Sequence, residues 1–418
     1  MLQQLPCPNL LDLELDGCSA QLGTAADGSP GVLQACTKLT RLVLHYNKIY
    51  NPGSLSCLVN LQHLDVRLHK GLNGFGPVWH GPDATLPRLQ QLTYLHVDSL
   101  SADNLLQLGG LTDLQELHLI ADDMCPVGPS RVPGVVLPAS LTKLELLSRI
   151  EAGLLSLVPC GLRELKINCD VEGPAEGPGS FLSGIARLQR LTRLELSPNG
   201  LNWPPTGVAY AVLTSSSSLV YLSMVVTRFP PGIWPHVFSS AQLLPHLTQL
   251  DLRDFDYDED GAFGESPLWG RADLPRLVSA CPSLRAIGNM ALQPGMHVSE
   301  LHKLTALTCV EAWSFSDNLA AVEESVRGLA AVTRLRSLLF TSCIPLGVAS
   351  LLPLTSLTAL TNLNCDWHNA EEQDGGLIVC ISTQVKKSVI GSHASDIECN
   401  LMQLLVQHME QHCFMVTA

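Results

Sequence analysis

Leu39-Thr40-Arg41-Leu42-Val43-Leu44-His45-Tyr46-Asn47 decides the fold of this chain. Leu42 and Leu44 alternate with Val43, which is the spacing of a β-strand. Side chains of a strand point to opposite faces in turn, so the two leucines enter a core and Val43 faces away. Leu39 stands three residues before Leu42 and closes the turn into the strand. The phrase is therefore Leu, two residues, Leu, one residue, Leu.

It recurs fourteen times, starting at Leu10, Leu39, Leu61, Leu92, Leu114, Leu141, Leu162, Leu191, Leu219, Leu247, Leu284, Leu307, Leu335 and Leu360. Of its forty-two apolar slots, forty-one are apolar when Cys and Ala are counted, and Asn289 is the exception. The starts lie 21 to 37 residues apart. Self-similarity at that period marks a solenoid, in which each coil packs only on its neighbours. The length of 418 residues then needs no division into several globular cores. Longer spacings leave room for a short helix on the return path, and shorter ones for a turn. Asn104–Leu108 and Leu319–Val326 read as such helices. Gly71–Pro82, Met124–Pro138, Glu172–Gly179 and Asp254–Gly270 read as Pro/Gly-rich excursions. Position nine of each phrase favours Asn, which turns the chain and bonds backbone of adjacent coils. Cys18, Asn47, Asn199, Thr227 and Cys343 suit that slot, and most other coils break the ladder.

Hydrophobic residues make up 46% of the chain and charged ones 15%, which supplies a continuous core. The formal net charge is −14, from 39 acidic and 25 basic residues. Lys386 and Lys387 form the densest basic spot, and no Lys/Arg stripe is interleaved with aromatics. Nucleic acid is excluded as a partner on that ground, because phosphate neutralisation needs clustered cations. No apolar run approaches the ~18 residues of a membrane span. The start, Met1-Leu2-Gln3-Gln4-Leu5-Pro6, lacks the basic and apolar segments of a secretory signal. Fourteen scattered cysteines then read as reduced thiols in a cytoplasmic protein. The first phrase begins nine residues in, without a cap, so a segment upstream of Met1 is also considered.

The phrase resembles that of the leucine-rich repeat family, over residues 7 to about 369. Cys7-Pro8-Asn9-Leu10 through Cys18 is similar to the cysteine-containing repeats of F-box substrate receptors, and Cys281-Pro282-Ser283-Leu284 echoes it. Asn289 and Met290 depart from that pattern. The uneven spacing looks like the irregular leucine-rich proteins of plants and green algae, some of which resemble flagellar or signalling scaffolds. The resemblance implies an α/β solenoid, a leucine-rich-repeat horseshoe with a concave parallel β-sheet and short helices or turns on its convex side. Repeats would fill residues 1–369, leaving a tail at 370–418. In that tail Ser395-Asp396-Ile397-Glu398 is a capping box. Ile397, Leu401, Leu404, Leu405 and His408 share one helical face behind it, suited to covering the last coil. A disordered tail is the alternative.

Function is expected to lie on the outward strand positions. Arg41, His45, Tyr46, His63, Arg67, Tyr94, His96, Glu116 and His118, from coils two to five, form the candidate partner-binding face. Arg, His and Tyr combine apolar area with directional donors. A plain solvated strand surface is the competing reading. Two Arg and four His would give this face a local positive bias, with an acidic partner segment as its complement. Tyr221, Val225, Trp313 and Leu339 make later coils more apolar. The role expected is a non-enzymatic scaffold, monomeric, binding a protein partner, with no cofactor or metal. A ubiquitin-ligase substrate receptor lacking its F-box is the alternative, and a cytoskeletal or flagellar setting is implied by the resemblance alone.

Other constellations are weaker. Cys7, Cys36 and Cys281 stand where other coils place Leu and read as small buried hydrophobes. A zinc site is the rival, but no C-x-x-C pair occurs. Asp256-Tyr257-Asp258-Glu259-Asp260-Gly261 matches half of a calcium loop, whose twelfth position is Pro267 where a bidentate Glu is required. Nucleophile-elbow, phosphate-loop and dinucleotide motifs do not occur.

Overall fold

Each apolar phrase folds as a strand because its alternation buries one face, and each strand pairs with the same phrase of the next coil. The computed structural model describes residues 7–16, 32–45, 52–67, 86–98, 102–120, 128–129, 133–147, 149–169, 171–174, 180–197, 206–226, 232–239, 243–254, 272–292, 295–313, 319–341 and 348–366. The chain divides into two units, Met1–Asn289 and Met290–Ala418.

The first unit holds β1 (Asp12–Asp16), β2 (Arg41–His45), β3 (His63–Arg67), β4 (Tyr94–Asp98), β5 (Glu116–Ile120) and β6 (Lys143–Leu146). It continues through β7 (Ile150–Glu151), β8 (Glu164–Ile167), β9 (Val171–Glu172), β10 (Arg193–Leu196), β11 (Tyr221–Val226), β12 (Gln249–Asp254) and β13 (Ala286–Ala291), in which the unit boundary falls. Apart from β7 and β9, these strands form a parallel sheet in chain order. Register aligns the phrases slot for slot: Leu42 pairs with Leu64, Leu95 with Leu117, Leu165 with Leu194 and Leu194 with Leu222. The inward residues of these interior coils are excluded from solvent, with Leu42, Leu64, Leu95, Leu117, Leu194 and Leu222 fully buried. Each contributes about 1.5–3 kcal/mol of burial. β7 and β9 pair separately, Ile150 beside Val171, and their two-residue length carries no periodic signal.

The return path is short. Helices α1 (Ala102–Gln107), α2 (Phe181–Ala186), α3 (Trp234–Val237) and α4 (Asp273–Ala280) alternate with single 3-10 turns such as Pro52–Cys57. Ser180 caps α2, its hydroxyl accepting from the Ser183 N–H at 3.3 Å. Gly184 lets α2 approach the preceding turn, since a Cβ there would lie 2.4 Å from that of Leu155. Two tight turns lead into several strands: before β3, Leu58 N–H donates to the Leu55 carbonyl and Leu61 N–H to that of Leu58, each at 2.9 Å. Cys36 and Cys281 stand in the same place, make the same turn bond onward, and are buried. The reading of these two as packing residues holds. Burial pushes the Cys281 thiol up to about 12.

The coils are stitched at position two. Thr40, Thr93, Thr142, Thr192 and Thr248 donate their hydroxyls to the position-two carbonyls of Leu11, Gln62, Gln115, Arg163 and Val220. These threonines occur in every second coil. The position-nine residues Cys18, Asn47, Asn199, Thr227 and Cys343 lie outside the described residues. So do the calcium-like segment at 256–261, most of the Pro/Gly-rich excursions, and the tail with its capping box.

Asn289 interrupts the alternation. It takes φ 54°, a left-handed conformation that Asn tolerates better than most residues. Register between β12 and β13 stops at Gly288, and Met290 is buried in place of Asn289. The Asn289 amide instead bonds Asp251 Oδ1 at 2.5 Å. One extra residue thus re-aims the strand, as in a β-bulge.

The second unit repeats the pattern with β14 (Cys309–Trp313), β15 (Ser337–Thr341) and β16 (Asn362–Asp366), paired in parallel. Helix α5 (Leu319–Ala330) includes the predicted segment. Trp313 is 8% exposed, so it contributes little surface to the apolar face expected around it. Thr361 donates to the carbonyl of Arg336, as in the first unit. Among the described residues, no helix is long and apolar enough to cross a membrane.

Candidate functional site

Parallel register sorts the outward side chains of β1 to β10 into rows across the coils. One row runs Asp12, Arg41, His63, Tyr94, Glu116, Lys143, Glu164, Arg193. The next runs Glu14, Val43, Asp65, His96, His118, Glu145, Lys166, Glu195. Neighbours in a row belong to strands about 4.8 Å apart. Opposite charges alternate along much of both rows, which is the favourable arrangement for facing pairs.

The residues singled out from the sequence fall on this face, except Tyr46, which lies outside the described residues. The Arg41 guanidinium reaches Asp12 at 2.9 Å and Glu14 at 3.2 Å. Arg67 holds Asp65 through two donors, Nε to Oδ1 at 3.0 Å and Nη2 to Oδ2 at 2.9 Å. Lys143 lies 3.1 Å from Glu116. His63 and Tyr94 stack at 4.0 Å, their planes 7° apart. His118 lies tilted against Tyr94 at 5.2 Å and parallel to His96 at 5.2 Å. Thus coils two to five are joined by a ladder of rings and charges.

The interior of the ladder is not a solvated surface. Asp65 and His96 are 5% exposed, and Asp98 and His118 8%. Asp65 gathers bases around it, with His45 Nε2 at 3.7 Å and His96 Nδ1 at 3.6 Å beside the two Arg67 bonds. Burial works to raise the Asp65 carboxyl, but Arg67 with His96 and His45 outweighs it and holds it below the usual range. His96 Nε2 also lies 3.4 Å from Asp98. His118 Nδ1 meets Glu145 at 2.6 Å, and Lys166 takes the other oxygen of Glu145 at 2.6 Å. The His118 bond, and then Lys166, depress the Glu145 carboxyl to about 2 against the effect of burial. Burial, followed by the nearby Asp65 charge, pushes the Tyr94 phenol up to about 12. Burial and then Arg41 lower the pKa of His63.

Two expectations change. Asp65, Asp98 and Glu145 are central to the ladder, yet selecting by residue type passed over them. Position arithmetic within the phrase would have found them, since each occupies an outward slot. The two Arg and four His of coils two to five also share their face with Asp65, Asp98 and Glu116. Among the described outward residues of β1 to β10, nine carboxylates face five Arg or Lys, and all five cations already bond carboxylates on the same face. An acidic partner segment would therefore meet arginines and lysines that already bond carboxylates.

Chemically, the face offers donors, acceptors and stacked rings on a rigid sheet. Among the described residues no group of three or more His, Cys, Asp or Glu is arranged to hold a metal ion.

Comparison with models of known protein families finds no match, and comparison with curated proteins finds none. Solved structures do resemble the chain. An internalin from Listeria monocytogenes is 17% identical, at a TM-score of 0.38, over 85% of this chain and 81% of that one. The functional domain of InlJ from Listeria monocytogenes, described as including a cysteine ladder, is 17% identical at a TM-score of 0.46, over 86% and 64%. The leucine-rich repeat domain of APL1 is 17% identical at a TM-score of 0.34, over 86% and 75%. At these identities the likeness concerns the fold alone. By its own strand register, each unit is a solenoid of leucine-rich phrases, one strand to each phrase in parallel.

Proposed function

We propose that this protein is a non-enzymatic scaffold that binds a protein partner on the outward strand face of coils two to five. One observation carries the reading. The side chains of that face are held by one another, Arg67 by Asp65, Tyr94 by His63 and His118 by Glu145. Side chains already fixed lose little further freedom on binding, so such a surface is preorganised for recognition. Arg and Tyr are also the residue types that dominate binding energy at interfaces. The F-box alternative rests on Cys7 and Cys281. Burial of Cys281 fits packing in any coil, so this alternative gains no separate support.

The test begins with affinity capture and mass spectrometry to identify a partner. Tyr94→Ala combined with Arg67→Lys is then compared with wild type by calorimetric titration. Lys is chosen because Ala would leave the buried Asp65 without its counter-ion. Affinity should fall at least about tenfold, the order expected for one interface anchor. Undiminished affinity at unchanged stability would move the site elsewhere.

A further inference from the structure

Cysteine fills the slot three residues before the phrase in coils one, two and eleven, as Cys7, Cys36 and Cys281. The coils before and after Cys281 carry Leu244 and Leu304 in that slot. Cys7 and Cys36 differ, because their coils adjoin. β1 pairs with β2 in register, Leu13 beside Leu42 and Leu15 beside Leu44. The turn ahead of each strand is also the same: Leu10 N–H donates to the Cys7 carbonyl and Leu39 N–H to the Cys36 carbonyl, each at 3.0 Å. The two cysteines therefore repeat one backbone position, one coil apart. That spacing, about 4.8 Å, lies inside the Cα separation of about 4.4–6.8 Å that a disulfide spans. The thiols also sense each other: burial, and then a charge on Cys7, raises the Cys36 pKa. Cys57 is out of register with them. It stands one residue before the slot, which Leu58 holds, and its thiol donates back to the Leu33 carbonyl at 3.7 Å.

The position of the pair in the sheet lets a bond form. Among the described residues β1 pairs with β2 alone, so coil one is held from one side. Its inward Leu13 and Leu15 are half-buried, whereas Leu42 and Leu44 are fully buried. A coil held on one side opens at lower cost than one packed between two neighbours. Opening admits a small reagent to half-buried Cys7 and lets the two Cβ atoms close to the roughly 3.8 Å of a disulfide.

We propose that Cys7 and Cys36 are a thiol–disulfide exchange site for a low-molecular-weight disulfide, and that the bond they form staples coil one to coil two. The Cys7 thiolate attacks one sulfur of the small disulfide, forming a mixed disulfide and releasing one small thiolate. The Cys36 thiolate then attacks the Cys7 sulfur, forming the Cys7–Cys36 bond and releasing the second small thiolate. The two cysteine protons pass to the two released thiolates. Two cysteines are oxidised and one small disulfide is reduced, so the exchange balances. An excess of the small thiol reverses both steps.

Glutathione disulfide serves as the probe. The full chain, first reduced, is incubated with it at neutral pH, quenched with acid, alkylated under denaturing conditions and digested without reductant. Mass spectrometry should find the Cys7 and Cys36 peptides joined with the loss of two hydrogens, and separated again by excess glutathione. Thr40 and Arg41 N–H both donate to the Leu11 carbonyl, so their deuterium exchange reports the parting of coil one from coil two. That exchange should slow at least about tenfold on oxidation, because the link closes the terminal coil. Cys7→Ser should abolish both effects. Serine suits this slot, as buried Ser216 shows in coil nine. Should Cys7→Ser still fail to fold, the peptide map and exchange of the wild-type chain decide the matter. A glutathione adduct that stays on Cys7, Cys36 joined to Cys57 instead of Cys7, or a Cys36 that is still alkylated after oxidation would each overturn the proposal. So would a Cys7–Cys36 link that leaves the exchange unchanged.

Discussion

Replacing Glu145 by Gln tests whether the ladder is a structural element or a decorated surface. The Glu145 carboxyl lies at about 2 in the folded protein against an ordinary 4.5. Its side chain is 14% exposed, so solvent screens the interaction only slightly. That difference corresponds to about 3 kcal/mol of stability at neutral pH, which is the ceiling for what the ionised group contributes. Gln keeps the shape and still accepts one bond from His118 or Lys166, so the loss at pH 7 should be about 2–3 kcal/mol. The pH dependence gives the sharper test. A carboxyl with a depressed folded pKa stabilises fully above its unfolded value and loses that effect as pH falls toward the folded one. The wild-type advantage over Glu145→Gln should therefore be flat above about pH 5 and shrink below it, by roughly 1.4 kcal/mol on reaching pH 3.5. Urea unfolding of the two proteins followed by circular dichroism at pH 7, 5 and 3.5 supplies the measurement. Only the difference between the two curves matters, because groups remote from Glu145 cancel in it. A difference below about 0.5 kcal/mol at pH 7, or one that stays constant down to pH 3.5, would refute the account of Glu145 as a buried, charge-bound partner of His118 and Lys166.

Two further outcomes follow from the packing. Leu194→Asp places a charge at a fully buried slot between Leu165 and Leu222, and should abolish cooperative unfolding of the coils around it, at a cost above about 4 kcal/mol; a wild-type melting curve would show that the inward assignment is wrong. Cys281, buried and pushed up to about 12, should resist a thiol reagent at pH 8 until denaturant is added, whereas exposed Cys160 reacts at once; mass spectrometry of the labelled peptides distinguishes the two, and early labelling of Cys281 would contradict its packing.

The strands were legible because burial enforces period two, and each described inward slot of coils two to ten is apolar and buried. Asn289 shows where that legibility stops. Counting by the phrase puts it inside, but a left-handed residue advances the chain by one and Met290 enters the core instead. Nothing in the period announces a bulge, although a polar residue in an apolar slot was the warning. The Ile150–Glu151 and Val171–Glu172 pair escaped notice because two residues cannot display a period. At the site, residue type located His96, Tyr94 and Arg67; Tyr94 stacks on His63 and His96 faces Asp65 of the preceding coil, whereas Arg67 bonds Asp65 within its own strand. Asp65 and Glu145 became significant only once register set them beside those bases. The carboxylates of the face were passed over for the same reason: cations were counted without the acidic partners that register sets beside them.

The threonine stitches have a consequence for how this chain tolerates changes in length. Threonine holds position two in coils two, four, six, eight, ten, twelve and fourteen, and in none of the odd ones. The hydroxyl of each described stitch reaches back to an odd coil, Thr93 to Gln62 or Thr192 to Arg163, so adjacent junctions are not equivalent. The structural unit is a couplet, not a single turn of the solenoid. Excising or inserting one coil puts the sequence out of phase, setting two hydroxyl-bearing coils side by side or leaving two without one. Excising or inserting two restores the phase. A library of shortened and lengthened chains should accordingly show parity: even changes survive with their junction chemistry intact, and odd ones carry a fault at the splice.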